Sequence, residues 1–145
     1  MNIIDVFGDR LDELIFDSRL TRKKLASLVG INVSNIYRYL RKESLPSFQN
    51  SIKLADFFRI STDYLFGLTE ENYYCECRRI SFSETFAELL NENGITRYKL
   101  HTDTKISCQR LDDWYHGKRN PTMENVLTLA LYFNCSMDKI MGREK

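Results

Sequence analysis

The sequence predicts an all-α protein built from two tandem copies of one small five-helix domain. The 145 residues include only two Pro and six Gly, which argues against a turn-rich β fold. Residues 7–70 align without a gap on residues 82–145, with 16 identities, so the chain repeats itself. Residues suited to cap helices recur at matching places in both copies, which favours the same series of helices in each.

The repeat predicts two domains, residues 1–70 and residues 81–145, joined by a linker of residues 71–80. The closest similarity places residues 46–67 on residues 121–142, where Pro, Asn, Leu-Ala, Phe, Ser, Asp and Gly recur in register. A unit of this length buries a modest core, yet small helical domains of this size fold independently.

Each copy is expected to contain five short helices. The first should cover about residues 7–18 in copy one and 82–93 in copy two, where Ser81 and Glu84 form a capping-box pattern. Ser, Thr or Asn precedes each later helix, as is typical of N-caps. These residues are Thr21, Asn32 and Ser61 in copy one and Thr96, Ser107 and Ser136 in copy two, while Pro46-Ser47 and Pro121-Thr122 open the fourth helix of each copy.

Composition excludes several classes of protein. With 43% hydrophobic and 28% charged residues, the chain has the make-up of a globular protein, and no apolar run approaches the roughly 20 residues of a membrane span. The start of the chain shows no secretion signal, so a cytoplasmic location is expected. No nucleophile elbow, phosphate-cradling glycine loop or metal-ligand cluster is legible. We therefore expect no enzyme activity, catalytic residues, cofactor, membrane association or small-molecule ligand.

Cys75 and Cys77 raise the alternative of a metal site. Structural zinc sites space their ligands more widely and bring four ligands together, and both His residues lie far away in sequence. We expect no metal, and free thiols for all four cysteines, since a reduced cytosol keeps thiols unpaired.

One window of the chain is depleted of negative charge. Residues 19–42 hold seven Lys or Arg and no Asp or Glu, although the whole chain balances 21 basic against 20 acidic residues. A surface that lies on a polyanion cannot carry carboxylates within a Debye length of its partner. Solvated helix faces are the common explanation of such runs, but this window also has the pattern of a helix–turn–helix.

The small residue Ala26 stands where two crossing helices would touch, and Gly30 supplies a turn residue tolerant of positive φ. Apolar residues that would hold the helix pair together follow at suitable spacing: Leu25, Val29, Ile31, Ile36 and Tyr39. With the flanking helices, this pattern resembles the helix–turn–helix domain of the phage-repressor family, the Cro-like and lambda-repressor-like transcriptional regulators. The resemblance covers nearly the whole chain, twice.

The resemblance implies a sequence-specific regulator of double-stranded DNA, a repressor, in a bacterium or phage. In this family the second helix of the motif enters the major groove, so the helix that starts near Asn32 would read base edges. Carried onto this sequence, the base-reading positions are Val33, Ser34, Tyr37 and Arg38. The phosphate-contacting positions are Arg22, Lys23, Asn32, Arg41 and Lys42, with Lys24 adding charge nearby. A homodimer is expected on a palindromic site.

Copy two departs from copy one at the positions of the motif. His101 replaces the small residue, Lys105 replaces the glycine, and residues 94–117 carry four basic and three acidic side chains. Asp112 and Asp113 stand at the outward-facing places of Tyr37 and Arg38. A second DNA site would use Arg97, Ser107, Gln109, Arg110, Lys118 and Arg119.

Three alternatives for the function remain open at this stage. Both copies could read DNA as a covalent pseudo-dimer, although ten linker residues extend roughly 33–36 Å at most and adjacent half-sites lie about 34 Å apart. Copy one could instead read DNA while copy two serves assembly. A protein-interaction or antitoxin-like module of the same fold is the third alternative, but such a role does not need the acid-free window.

Overall fold

The chain folds into two compact units, Met1–Tyr74 and Cys75–Lys145, here called unit 1 and unit 2. The computed structural model describes residues 2–74 and 79–144, and every regular element in those ranges is a helix. None of these helices is both long and apolar enough to cross a membrane. Cys75 and Cys77, which raised the metal alternative, lie outside the described residues.

Within the described residues, both units contain five helices in the predicted order. In unit 1 they are α1 (Ile3–Ser18), α2 (Arg22–Val29), α3 (Val33–Leu40), α4 (Phe48–Phe58) and α5 (Thr62–Leu65). In unit 2 they are α6 (Phe82–Asn93), α7 (Arg97–Thr104), α8 (Cys108–Tyr115), α9 (Met123–Phe133) and α10 (Met137–Ile140).

The N-caps predicted from the sequence are confirmed. Each of these side chains accepts a hydrogen bond from a backbone N–H two or three residues further on, as in Thr21 with Lys24 and Thr96 with Lys99. Ser81 likewise accepts from the Glu84 N–H at 3.3 Å. Such caps satisfy donors that the helix itself leaves unpaired, so short helices of eight residues can begin at defined places.

The predicted start of α1 at residue 7 is wrong. The helix begins at Ile3, where the side chain of Asn2 accepts from the Ile4 N–H at 3.0 Å, so α1 has 16 residues and α6 has 12. Asn2 lies before the first aligned residue of the repeat, and the second copy therefore could not indicate this cap. The extra turn brings Asp5 into α1.

In unit 1, α3 packs against α1 through buried aromatic rings. Phe7 of α1 meets Tyr39 of α3 edge-on at a centroid distance of 5.6 Å, and it stacks on Phe66 at 5.1 Å. All three side chains are almost fully buried. The apolar residues predicted to hold the motif together, Leu25, Val29, Ile31, Ile36 and Tyr39, are buried as expected.

In unit 2 a larger aromatic ring occupies the corresponding place in the core. Trp114, the only tryptophan of the chain, takes the place of Tyr39 and is fully buried. Phe82 and Phe86 of α6 meet its ring edge-on at 5.7 and 5.8 Å. The predicted core role of Trp114 is confirmed, and its fluorescence will report on unit 2 alone.

The turn between the two helices of the motif has one backbone conformation in both units. Gly30 has φ of 74° and its N–H bonds to the Ala26 carbonyl at 3.0 Å, while Lys105 has φ of 67° and bonds to the His101 carbonyl at 2.8 Å. The loss of glycine in copy two has therefore not changed the turn. A lysine in the left-handed region is strained, by roughly 1–2 kcal/mol, because its Cβ approaches the following carbonyl.

We expect Lys105→Gly to stabilise unit 2 by about 1 kcal/mol, because it relieves that strain at a helix C-terminus. The reverse change, Gly30→Lys, should destabilise unit 1 by a similar amount, since a Cβ there meets no other atom within 4 Å and only the backbone strain counts. Urea unfolding monitored by Trp114 fluorescence measures the first effect, and helical circular dichroism measures the second. An unchanged fluorescence midpoint in Lys105→Gly would contradict the argument.

Candidate nucleic-acid interface

The buried side of α3 determines which residues its opposite side presents. Ile36 and Tyr39 are buried, which leaves Ser34 and Arg38 exposed and Val33 and Tyr37 half-buried. These four are the base-reading positions that the family resemblance implied, and they lie on one accessible face of the helix.

The first turn of α3 is organised by Asn32. Its side-chain oxygen accepts from the Ser34 N–H at 3.0 Å and from the Ser34 hydroxyl at 2.8 Å. The hydroxyl proton of Ser34 is thereby engaged, so this side chain can meet a base only as an acceptor, for example from an exocyclic amino group. Asn32 retains its amide N–H groups as donors for a phosphate oxygen.

Arg22, the first residue of α2, lies over the ring of Tyr37, with 5.6 Å between the guanidinium carbon and the ring centroid. An arginine on an aromatic face keeps its full charge and its N–H donors, since the ring accepts no proton. The contact joins a phosphate-contacting position on α2 to a base-reading position on α3.

Unit 1 presents a group of exposed cations on and beside α2 and α3. Within residues 2–74 and 79–144, no carboxylate comes within 4 Å of five exposed cationic side chains on or beside α2 and α3. They are Arg19, Arg22, Lys23, Lys24 and Arg38. This is the local excess of positive charge that the sequence window predicted.

The last two cations of the window do have acidic partners, so the expectation of a surface without carboxylates is wrong at this edge. Lys42 lies 2.9 Å from a carboxylate oxygen of Asp9, and Arg41 lies 3.0 Å from Glu43. The hydrogen bond that Lys42 donates to Asp9 raises the pKa of Lys42, and the one that Arg41 donates to Glu43 lowers the pKa of Glu43. All four side chains are exposed.

In unit 2 the carboxylates lie within the motif. Asp112 forms an ion pair with Arg97 at 3.0 Å, and the guanidinium of Arg97 lies 4.1 Å from the ring centroid of Tyr115. Arg97 and Arg22 are equivalent residues, and each lies over an aromatic ring, but among the described residues only Arg97 also pairs with a carboxylate.

Asp113 does not face outward, contrary to the expectation from its alignment with Arg38. It is 7% exposed, accepts a hydrogen bond from the Gln109 side chain at 3.0 Å and pairs with Arg119 at 3.1 Å. The Gln109 and Arg119 side chains cover this short carboxylate, whereas the longer Arg38 at the equivalent place in unit 1 is exposed. Two candidates for a second DNA site, Gln109 and Arg119, are thus held by a carboxylate of their own unit.

The remaining candidates for a second DNA site in unit 2 form no ion pair among the described residues. Ser107 caps α8 by accepting from the Arg110 N–H at 3.2 Å. Arg110 and Lys118 are exposed, and no carboxylate of the described residues lies within 4 Å of either. Cys108 is an exposed free thiol at the start of α8, and Cys135 is half-buried.

Three residues of this surface were not predicted from the sequence. Lys53 of α4 donates from its ammonium to the Gly30 carbonyl at 3.2 Å, which brings a further cation to the turn of the motif. Asp9 and Glu43 hold the cations at the end of α3. Glu43 follows the window directly and could have been noticed, whereas Lys53 and Asp9 reach the site only through folding.

Comparison with family models agrees with this geometry. Residues 18–65 match the model described as Helix-turn-helix, and residues 85–145 match the Cro/C1-type HTH DNA-binding domain. The chain belongs to the helix–turn–helix family and carries two tandem Cro/C1-type domains, which confirms the resemblance and the all-α fold predicted from the sequence. No curated protein and no solved structure is significantly similar to it. The two family matches support a DNA-binding regulator.

We expect Asp113→Ala to destabilise unit 2 by about 1–3 kcal/mol, because it removes a buried hydrogen-bonded carboxylate. Asp112→Ala is the matched control and should cost less than about 1 kcal/mol, since its pair with Arg97 is open to water, with 54% of the Asp112 side chain exposed. Denaturant midpoints from Trp114 fluorescence compare the two variants. Equal costs would contradict the inward placement of Asp113.

A second prediction concerns alkaline pH. Burial raises the pKa of Tyr39, against the smaller lowering effects of its hydrogen bond with Asn50 and of the Arg38 charge. A raised folded-state pKa stabilises unit 1 fully below the unfolded value of about 10, and that contribution is lost as pH rises through the folded value. Helical circular dichroism during denaturation at pH 9 and pH 11 should show a smaller loss of stability for Tyr39→Phe than for the wild type.

Proposed function

We propose that unit 1 is the main DNA reader of a transcriptional repressor and that α3 reads the major groove. Arg38 can donate two hydrogen bonds to a guanine, which is worth about 1–3 kcal/mol of discrimination. Ser34 would accept from an amino group of adenine or cytosine, and Val33 would pack on a thymine methyl. Arg22 and Lys23, at the start of α2, would grip the phosphate backbone.

The two units differ in how many of their cations pair with carboxylates, and this difference supports the assignment of unit 1 as the reader. Association with DNA gains from cations that release condensed counterions, and a cation already paired with a carboxylate contributes less. Among the described residues, the five cations on or beside α2 and α3 have no carboxylate within 4 Å, whereas in unit 2 Arg97 and Arg119 pair with Asp112 and Asp113 and only Arg110 and Lys118 of the candidate cations are unpaired. The stronger electrostatic attraction for DNA therefore belongs to unit 1.

A second role, in protein contact, is proposed for unit 2. Tyr98 of α7 is 73% exposed and Tyr115 of α8 is 40% exposed, beside the paired Arg97. Exposed tyrosine together with charge-compensated arginine is characteristic of protein–protein interfaces, whereas the surfaces of proteins that bind DNA are strongly positive. Unit 2 would then assemble two readers on a palindromic operator or bind another regulatory protein.

The test begins with selection of bound duplexes from random DNA by the full chain. On the selected duplex, Arg38→Glu should weaken binding by about 100-fold, because it loses a bidentate contact and adds repulsion. Arg110→Glu reverses an equally exposed, unpaired arginine on the equivalent helix of unit 2 and should change affinity less than about threefold.

Equal losses from the two reversals would contradict the assignment to unit 1 and indicate that both units read DNA. If the wild-type chain enriches no duplex even at low salt, DNA reading itself is wrong and a protein partner becomes the remaining function. The symmetry of the enriched motif reports in the same experiment whether two readers act together.

A further inference from the structure

The C-terminal end of α3 holds two cations in intramolecular ion pairs. The Lys42 ammonium lies 2.9 Å from Asp9 of α1. The Arg41 guanidinium makes three contacts with both carboxylate oxygens of Glu43, at 3.0 to 3.2 Å. These are the positions where the recognition helix of the proposed reader would run along the DNA backbone, and both are already occupied by carboxylates.

The backbone directs Lys42 toward α1. Lys42 has φ of 62°, and its N–H bonds to the Tyr39 carbonyl at 3.1 Å, which terminates α3. Gly8 of α1 makes room for the lysine, because a Cβ at this glycine would lie 2.9 Å from the Lys42 Cγ. The aliphatic chain of Lys42 therefore runs close to α1, within reach of Asp9.

The pairs are open to water and therefore weak enough to exchange. The exposed fractions of the side chains are 68% for Asp9, 38% for Lys42, 59% for Arg41 and 49% for Glu43. Exposed ion pairs contribute little to stability, since water and salt screen them. A DNA phosphate can take the place of such a carboxylate as the partner of the cation. The phosphate must first displace the carboxylate, and the negative charge of the carboxylate repels it.

We propose that Asp9 and Glu43 compete with DNA phosphate for Lys42 and Arg41 and so limit the affinity of unit 1 for DNA. The proposal rests on the proposed function of unit 1. Binding to random DNA is almost wholly electrostatic, so it suffers most from this competition. Base contacts by Ser34 and Arg38 supply the part of binding that depends on sequence, so competition for the cations that contact the backbone increases the relative contribution of sequence.

The experiment uses the full chain with Asp9→Asn, Glu43→Gln and the double variant. Each is titrated with the selected duplex and with a random-sequence duplex between about 50 and 200 mM salt, a range over which phosphate contacts change affinity strongly. Each substitution should raise affinity for the random duplex about 3- to 10-fold at low salt and steepen the log–log salt slope by up to about 0.9. The ratio of selected to random affinity should fall.

The matched control is Asp12→Asn combined with Asp17→Asn. It changes the net charge of α1 and its surroundings by the same amount, at exposed positions with no partner among the described residues. An equal gain in this control would show a general charge effect and overturn the proposal. Unchanged affinity and slope in the Asp9→Asn and Glu43→Gln double variant would overturn it too.

The substitution Lys42→Gln distinguishes competition between Asp9 and DNA phosphate for Lys42 from simple repulsion between Asp9 and the phosphate. If Asp9 acts by occupying Lys42, then Asp9→Asn should have little effect in the Lys42→Gln background, whereas a fully retained gain would overturn the competition. Thermal unfolding of each variant verifies that unit 1 remains folded. Failure of the proposed function has a different signature, because the wild-type chain would then bind DNA weakly, without salt dependence and without loss in Arg38→Glu.

Discussion

Burial of one face of α3 against α1 is the constraint on which the rest of unit 1 depends. Phe7 contacts both Tyr39 and Phe66, so α1, α3 and the end of α5 share one aromatic cluster. An eight-residue helix is marginal by itself in water, and packing therefore decides its orientation. With Tyr39 fixed inward, Arg38 and Ser34 face outward.

Unit 2 keeps this constraint with different side chains. Trp114 packs edge-on against Phe82 and Phe86, and its indole N–H has no hydrogen-bond partner among the described residues. An unsatisfied buried donor costs about 1–3 kcal/mol, while burial of a tryptophan ring removes a large apolar area from water. The scaffold thus tolerates a change of core residue, and its exposed surface is free to diverge.

The two surfaces differ chiefly in where their carboxylates lie. Asp113 is buried beneath the surface of unit 2 and holds Gln109 and Arg119 there, as part of the fold. Asp9 and Glu43 lie at the rim of the unit 1 surface, exposed to water, and pair with cations that retain full charge. Removal of a buried carboxylate leaves its partners uncompensated and is costly, whereas an exposed ion pair contributes little to stability.

The sequence by itself determined the features that depend on neighbours along the chain. The repeat, the helix order and the N-caps such as Thr21 and Thr96 follow from local spacing, because a cap needs only a side chain two or three residues from the N–H it accepts. The core residues of the motif followed for the same reason, since the period of a helix places them on one face. The start of α1 failed because Asn2 lies outside the aligned repeat.

The tertiary structure alone decided which charges meet. Asp9 and Lys42 are far apart in sequence and come together only because α1 lies across the end of α3, where Gly8 leaves space. The inward placement of Asp113 likewise depends on how α8 packs, which its alignment with Arg38 could not reveal. Ion pairs between elements depend on distances of a few ångströms across the fold, and residue spacing along the chain does not encode those distances.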